Sequence, residues 1–253
     1  MDKRLVAFER LLNIMDDLRE KCPWDRKQTF QSLRNLTIEE TYELADALLE
    51  ENLTDIKEEV GDILLHMVFY SKIASEKEAW DIADALHSIC EKLIARHPHI
   101  YGDVEVKDEE EVKRNWEKLK LKEGKKSVLQ GVPMSLPSMV KAYRMQQKTG
   151  TVGFEWENTD DVIDKCYEEF GELQEAVESG DQDHIEEEFG DFLFSLINYS
   201  RYIKVDPETA LEKTNKKFKK RFEYIEKNAP KSLEEMTLTE MDALWEESKR
   251  VKS

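Results

Sequence analysis

The chain has 253 residues, a length compatible with two domains that each bury a core of their own. Its formal net charge of -18 argues against a nucleic-acid-binding surface, because phosphate backbones attract basic proteins. The three cysteines are an odd number without CxxC spacing, which argues against a disulfide framework and a zinc site and favours reduced thiols.

The N-terminal half is predicted to be helical throughout. Only nine Gly and six Pro are present, which favours long helices over a sheet with many turns. The first helix carries an apolar stripe and ends near Cys22-Pro23. It lacks the apolar run and cleavage site of a signal peptide, and no segment is long enough to span a bilayer. We therefore expect a cytoplasmic protein without a membrane partner.

Four further helices are predicted in this half: from an N-cap at Thr29 to about Glu51, after Thr54-Asp55, from an N-cap at Asp81 to Pro98, and near residues 108–121. The segment 123–137 holds two glycines and two prolines without a helical period, which predicts a linker. The predicted domains are therefore residues 1–122 and 138–253.

The second half repeats the order of the first. Its predicted helices run from Thr159 or Asp160 to about Glu178, from Asp181 or Asp183 through Tyr202, from Asp206-Pro207 to about Lys227, and near Thr239. The fold class predicted from this pattern is all-α, with two tandem four-helix-bundle modules.

Acidic residues recur in the two halves with one spacing. An EExxE motif is followed by ExxD, with fifteen residues between the two motifs, and the second copy lies 129 positions after the first. The quartets are Glu40, Glu43, Glu59 and Asp62 in the first half, and Glu169, Glu172, Glu188 and Asp191 in the second. Duplication alone explains the match, so the repeat indicates common ancestry of the halves but not activity.

Helix geometry gives the quartets a chemical meaning. Residues three apart share a helix face, so two antiparallel helices would bring four carboxylates together. Such charges repel by several kcal/mol unless some are protonated or a cation lies among them. Oxygen ligands suit Mg²⁺ or Mn²⁺. Gly61 and Gly190, unfavourable inside a helix, would be explained by close approach of a neighbouring helix or a ligand.

Two simpler interpretations compete with a metal site. Paired glutamates on a helix are usually a solvated face. Thr37-Ile38-Glu39-Glu40 also matches a capping box, although a helix start near Thr29 would place Glu40 well inside the helix. The occurrence of two copies, with apolar neighbours beside each, favours the metal site.

With these motifs, the sequence resembles the MazG-type nucleoside triphosphate pyrophosphohydrolases, relatives of the all-α dUTPases. Beyond the quartets, the similarity includes Cys22–Thr29, Arg96–His99, Val152–Trp156, Lys217-Phe218 and Arg221-Phe222. The resemblance implies Mg²⁺-dependent hydrolysis of nucleoside triphosphates to monophosphate and pyrophosphate, with Mn²⁺ as an alternative ion. It also implies a role in nucleotide-pool control or house-cleaning, and a homodimer.

The resemblance also implies roles for individual residues. The metal ligands would be Glu169, Glu172, Glu188 and Asp191, with Glu40, Glu43, Glu59 and Asp62 as a second copy. Nucleotide contacts would come from Lys165, Glu168, Lys217, Arg221 and Trp245. For Glu168 and Glu187 two roles stay open: each supports the metal ligands or acts as the general base. His184 departs from the family pattern, which often has lysine there.

The two halves differ at one position that matters for phosphate binding. The counterpart of Lys165 is Leu36, although Lys92, Arg96 and Trp116 are counterparts of Lys217, Arg221 and Trp245. We therefore expect the C-terminal half to be the main catalyst. For the N-terminal half four roles stay open: binding of metal, regulation, stabilisation of an assembly, or an activity of its own.

Two other functional classes compete with the enzyme. One is a non-catalytic acidic scaffold or regulatory protein-binding module, in which the carboxylates are simply solvated. The other is a di-iron bundle, which needs Glu-x-x-His pairs that this sequence lacks. Neither base nor sugar preference can be inferred from the spacing of residues.

Overall fold

The computed structural model describes residues 2–108, 111–112, 115–116, 119 and 127–250. The chain divides into two compact units, Met1–Trp116 (unit 1) and Glu117–Ser253 (unit 2). Its described residues form α-helices and two short 3-10 turns, Asp25–Lys27 and Leu233–Glu235, with no strand. The predicted all-α class with tandem helical modules is confirmed.

Unit 1 contains five described helices. They are α1 (Lys3–Lys21), α2 (Phe30–Leu49), α3 (Leu53–Ser75), α4 (Ile82–Arg96) and the single turn α5 (Pro98–Tyr101). The predicted N-caps Thr29 and Asp81 are confirmed, since each side chain accepts a hydrogen bond from a backbone N–H in the first turn. α3 begins earlier than predicted, because Asn52 caps it.

The core of unit 1 lies between α1, α2 and α3. Its buried side chains are Met15, Leu33, Val68, Phe69 and Ile73. The short turn at residues 50–52 returns α3 along α2, and α1 packs against α3. α4 buries none of its side chains in this unit.

Unit 2 also contains five described helices. They are α6 (Ser138–Gly150), α7 (Thr159–Ser179), α8 (Gln182–Tyr202), α9 (Pro207–Asn228) and α10 (Leu238–Ser248). α7 and α8 pack along each other, and Gly180, at φ +73°, permits the tight turn between them. α6 packs against α8 and α9, and α9 packs against α10.

Local capping chemistry explains where most of these helices begin. The N-caps predicted at Asp181 and Asp206 are confirmed, and proline occupies the first position of α9. The prediction of Thr159 or Asp160 as the cap of α7 is wrong. Asn158 takes that place, because its side chain accepts from the backbone N–H of Asp161. α6 was not predicted as a separate element.

Two predicted segments lie partly outside the described residues. The helix expected near residues 108–121 includes many residues that the structure does not describe, as does the first part of the 123–137 linker. The described part of that linker, residues 127–137, consists of turns and bends. Within the described ranges, no helix has both the length and the apolar character required to cross a bilayer.

Candidate metal centre and adjoining cavity

Unit 2 brings three of its four predicted ligands together. Carboxylate oxygens of Glu169 and Glu172 on α7, and of Glu188 on α8, lie within 4.8 Å of one another. Glu169 is buried, and Glu188 is partly buried. We call these three residues the unit 2 triad. An all-oxygen donor set of this kind fits Mg²⁺ or Mn²⁺.

Unit 1 repeats the arrangement with the corresponding residues. Glu40 and Glu43 on α2 and Glu59 on α3 also place carboxylate oxygens within 4.8 Å of one another. We call them the unit 1 triad. Because α2 begins at Phe30, Glu40 lies inside the helix, so the capping-box interpretation of this glutamate is wrong.

The two aspartates of the quartets are not members of the triads but lie near them. In the described residues, neither Asp62 nor Asp191 belongs to a group of three carboxylates as tight as the triads. Asp62 is nevertheless close enough for its charge to raise the pKa of Glu40. Asp191 lines a cavity that also includes Glu169.

Lys165 supplies positive charge next to the unit 2 triad. Its Nζ lies 2.6 Å from Glu168 Oε1 and 2.8 Å from Glu169 Oε1, one helical turn away, as the spacing predicted. These two carboxylates, Glu168 first, raise the pKa of Lys165, so the lysine stays charged at neutral pH. Burial and then the charge of Glu169 raise the pKa of Glu172, and Lys165 opposes this rise.

His184 contacts the triad from α8. Its Nε2 lies 3.2 Å from Glu188 Oε1, one turn along the helix. The position at which the sequence departs from the family pattern is therefore a neighbour of a predicted metal ligand.

The unit 1 triad has no cation at the corresponding place, since that position is Leu36. Burial raises the pKa of Glu40, and repulsion by Asp62 and Glu43 adds to it. The pKa of Glu59 is raised in the same way, by burial first and then by the charge of Glu43. This cluster binds protons more tightly than isolated glutamates do.

Two of the remaining predicted nucleotide contacts, Arg221 on α9 and Trp245 on α10, lie against each other. The Arg221 guanidinium lies 5.4 Å from the ring centre of Trp245, whose ring is 5.3 Å from that of Phe218. In unit 1, Arg96 lies 5.6 Å from the ring centre of Trp116, so the predicted counterparts make the same contact. None of the residues Lys217, Arg221 and Trp245 lines the cavity.

Comparison with known proteins decides the family. The MazG nucleotide pyrophosphohydrolase domain matches twice, at residues 28–101 and 158–235, and each match contains one complete quartet. The chain belongs to the MazG nucleotide pyrophosphohydrolase family. The family prediction and the prediction of an enzyme of this class are confirmed.

Full-length relatives agree with this assignment to the MazG family. The chain is 43% identical to the nucleoside triphosphate pyrophosphohydrolase/pyrophosphatase MazG of Thermotoga maritima, over 96% of each chain. It is 38% identical to the nucleoside triphosphate pyrophosphohydrolase of Escherichia coli K12, over 96% of this chain and 97% of that protein. A solved mazG-related protein from Thermotoga maritima aligns with 45% of this chain and 98% of its own, at 28% identity and a TM-score of 0.40.

The glycines of the MazG quartets, Gly61 and Gly190, have open space beside them. A methyl group at either position would meet no described atom within 4 Å. Close approach of a described helix therefore does not explain these glycines, and the approach of a ligand stays a prediction.

Glu168 and Glu187, each predicted either to support the ligands or to act as general base, have different surroundings. Glu168 accepts a hydrogen bond from Lys165, and Glu187 is exposed on α8. Both roles stay predictions.

Sequence reasoning missed the cavity beside the unit 2 triad. This cavity of about 610 Å³ is lined by residues of α6, α7, α8 and the loop 151–158. Its polar side chains include Gln146, Asn198 and Arg201. The only signal in the sequence was the segment Val152–Trp156, which resembles other MazG proteins and lies in this loop.

Proposed function

We propose that this chain hydrolyses nucleoside triphosphates between the α and β phosphates, giving a nucleoside monophosphate and pyrophosphate, with Mg²⁺ as the working ion and Mn²⁺ as an alternative. The observation that carries the proposal is the unit 2 triad, which shares Glu169 with a cavity large enough for a small-molecule ligand. The names of both full-length relatives include nucleoside triphosphate pyrophosphohydrolase.

Residues of unit 2 would hold the ion and the phosphates. Glu169, Glu172 and Glu188 are the proposed ligands, with Asp191 beside them on the cavity wall. When bound, the ion would polarise the phosphate oxygens and lower the pKa of the attacking water. Lys165 keeps its proton and offers a positive charge beside the same carboxylates, where it would contact a phosphate oxygen.

Unit 2 is proposed to be the main catalyst. It has the lysine that unit 1 replaces with Leu36, and it has the cavity. The unit 1 triad is proposed to bind metal in support of the assembly. The contacts of Lys217, Arg221 and Trp245 with nucleotide stay a prediction from the family resemblance, as do the domain bounds 1–122 and 138–253.

A homodimer is part of the proposal. Leu86, Ile89 and Leu93 on α4 are each more than 40% exposed, and none of the α4 side chains is buried. A second copy of the chain that covers this face would remove apolar surface from water. Light scattering at micromolar concentration should give twice the monomer mass for the wild type and the monomer mass for Ile89→Glu. A monomeric wild type would refute the dimer.

The proposed biological setting is the cytoplasm, with nucleotide-pool control or house-cleaning as the role. It is supported by the family and by three cysteines, Cys22, Cys90 and Cys166, that are all free thiols in the structure. Neither nucleic acid nor a membrane is a proposed partner.

To determine which bond is cleaved, the full chain is incubated with ATP and Mg²⁺ in ¹⁸O-labelled water. Attack at the α phosphorus places the label in AMP and releases unlabelled pyrophosphate, both of which ³¹P NMR distinguishes. Orthophosphate as the first product, or label in pyrophosphate, would refute the proposed reaction.

A matched pair of variants tests whether the reaction depends on the unit 2 triad. Glu188→Gln should abolish turnover while the helical CD signal is kept, because the change removes one ligand charge. Glu186→Gln, on an exposed position of the same helix, is the control and should keep wild-type activity. Equal activity of the two variants would exclude the triad as the metal site.

A further inference from the structure

The loop 151–158 contributes Gly153, Phe154, Glu155 and Trp156 to the wall of the cavity. Phe154 is 80% exposed and Trp156 is also exposed, so neither aromatic ring is fixed by burial in the core. A loop whose large apolar side chains face solvent gains little stability from packing. Polar contacts must therefore hold this part of the wall in place.

Two polar contacts tie the loop to the last turn of α8. Arg201 Nη2 donates to Glu155 Oε1 at 2.9 Å, and the Tyr202 hydroxyl donates to the backbone carbonyl of Trp156 at 2.9 Å. The Arg201 side chain is only 12% exposed, and its Nη1 donates to Asn198 Oδ1 at 2.7 Å. Because the arginine is mostly buried and already oriented, its pair with Glu155 is screened less than a pair of two free surface side chains.

Gly150, the last residue of α6, leaves room for this ion pair. A methyl group at that position would lie 2.7 Å from Glu155 Oε2 and 3.0 Å from Arg201 Nη2. The φ angle of Gly150 lies outside the left-handed region, so its backbone does not require glycine. The ion pair accounts for the absence of a side chain here.

Unit 1 holds its corresponding loop, residues 22–29, in another way. The counterparts of Glu155, Arg201 and Gly150 all carry positive charge and are Arg26, Lys72 and Lys21. In their place, Arg19 on α1 donates to the backbone carbonyls of Asp25 and Gln28. The contact between an acid in the loop and a base on the neighbouring helix therefore belongs to the unit that has the cavity.

We propose that Glu155 and Arg201 are positioning residues that latch the loop 151–158 against α6 and α8, and that this latch sets the affinity for the substrate without taking part in the chemistry. The inference rests on the proposed function, since the cavity adjoins the unit 2 triad. The triad lies on α7 and α8, outside the loop, so release of the loop would leave the reacting groups in place. A loss of binding that is equal in the ground state and the transition state raises KM and leaves kcat unchanged.

A double-mutant cycle on the full chain, with ATP and Mg²⁺, tests the latch. Glu155→Gln and Arg201→Gln should each raise KM by about five- to tenfold, somewhat more than an exposed ion pair gives, with kcat within about twofold. The double variant should be no worse than either single variant, because each change removes the same contact. Gly150→Ala displaces the pair and should give the same rise. Glu157→Gln, at an exposed position of the same loop, is the control and should keep the wild-type KM.

Chymotrypsin, which cleaves after aromatic residues, reports on the loop without any nucleotide. Arg201→Gln should be cut after Phe154 about five- to tenfold faster than the wild type, because a released loop opens more often to the protease. Glu155 is not changed in this assay, since it follows the cleaved bond. Cleavage elsewhere in the chain should keep its wild-type rate, and an equal increase at every site would show global destabilisation and refute the latch.

The possible outcomes separate this inference from the proposed function. Absence of pyrophosphate from ATP with the wild type refutes the proposed function, whatever chymotrypsin shows at Phe154. Pyrophosphate formed with a wild-type KM in both single variants refutes only the latch. A fall in kcat at unchanged KM, or single effects that multiply in the double variant, also refutes it. If Arg201→Gln does not fold, the KM values of Glu155→Gln and Gly150→Ala against that of Glu157→Gln decide.

Discussion

In unit 1 the turn before Glu40 carries Leu36, whereas in unit 2 the corresponding turn before Glu169 carries Lys165. Leu36 packs against the core of unit 1, and Lys165 forms ion pairs with Glu168 and Glu169. The same spacing of carboxylates therefore lies next to an apolar side chain in one unit and next to a charged one in the other. Conserving the ligand spacing within a duplicated chain does not conserve the electrostatics around it.

The hydrophobic core of unit 1 and the cavity wall of unit 2 differ at another corresponding position. Phe69 fills the interior of unit 1, where Thr37 also hydrogen-bonds with His66 and Tyr70. In unit 2 the counterpart of Phe69 is Asn198, on the wall of the cavity. The position that lines the cavity in unit 2 is therefore occupied by a buried core side chain in unit 1.

The largest effect is expected from removing one carboxylate of a triad. Glu172→Gln should lower kcat/KM by about 100-fold or more, because stabilisation by a metal ion is worth several kcal/mol and about 1.4 kcal/mol corresponds to tenfold. Glu43→Gln, the counterpart in unit 1, should change it by less than about twofold on the same scale. Equal losses in the two variants would mean that both units catalyse.

A smaller loss is expected from removing the cation of unit 2. Lys165→Met should lower kcat/KM by about 10- to 100-fold, since a hydrogen bond to a charged group is worth about 1.5–3 kcal/mol. Lys165 opposes the rise in the pKa of Glu172, so its loss should raise that pKa further and shift the acid limb of the pH profile to higher pH. Leu36→Met in unit 1 is the control, and an unchanged pH profile in Lys165→Met would contradict this account.

The polar core of unit 1 predicts a stability difference. Thr37→Val should lower the free energy of unfolding of unit 1 by about 1–3 kcal/mol, because His66 Nδ1 and the Tyr70 hydroxyl lose a shared partner. Thr37→Ser keeps the hydroxyl and should cost less. Urea unfolding followed by hydrogen exchange in each unit measures the effect, and equal losses for the two variants would rule out the hydrogen bonds as its cause.

The smallest effect concerns protons released when metal binds. Burial raises the pKa of both Glu40 and Glu59, so these groups hold their protons to higher pH than isolated glutamates do, and Mg²⁺ competes with those protons. Affinity at the unit 1 triad should therefore fall as pH decreases through these raised pKa values, and binding should release protons.

The number of protons released can be measured for each triad separately in the full chain. Calorimetry in two buffers of different ionisation enthalpy counts the released protons, with one triad disabled by two Glu→Gln changes. The unit 1 triad should release more protons at acid pH than the unit 2 triad, because the pKa is raised for Glu40 and Glu59 in unit 1 but only for Glu172 in unit 2, where Lys165 opposes the rise. The reverse order would show that the cation does not set this difference.

Local features of the fold were predictable from the residues. The caps at Thr29, Asp81, Asp181 and Asp206 follow from side chains that bond to backbone atoms two or three positions away. The cap at Asn158 was missed because three polar residues in a row compete for one role. α6 was missed because it lies next to a segment with no helical period.

The sequence by itself determined the helical class, the duplication and the shared faces of the glutamates, since all three depend on spacing along one or two helices. Only the tertiary structure decided that the aspartates stand outside the triads and that a cavity adjoins one triad. The reason is that such features depend on residues far apart in the chain. Gln146 and Phe194 are separated by 48 positions, and nothing in the pattern around either residue indicates that they meet or that one amide oxygen is left unpaired.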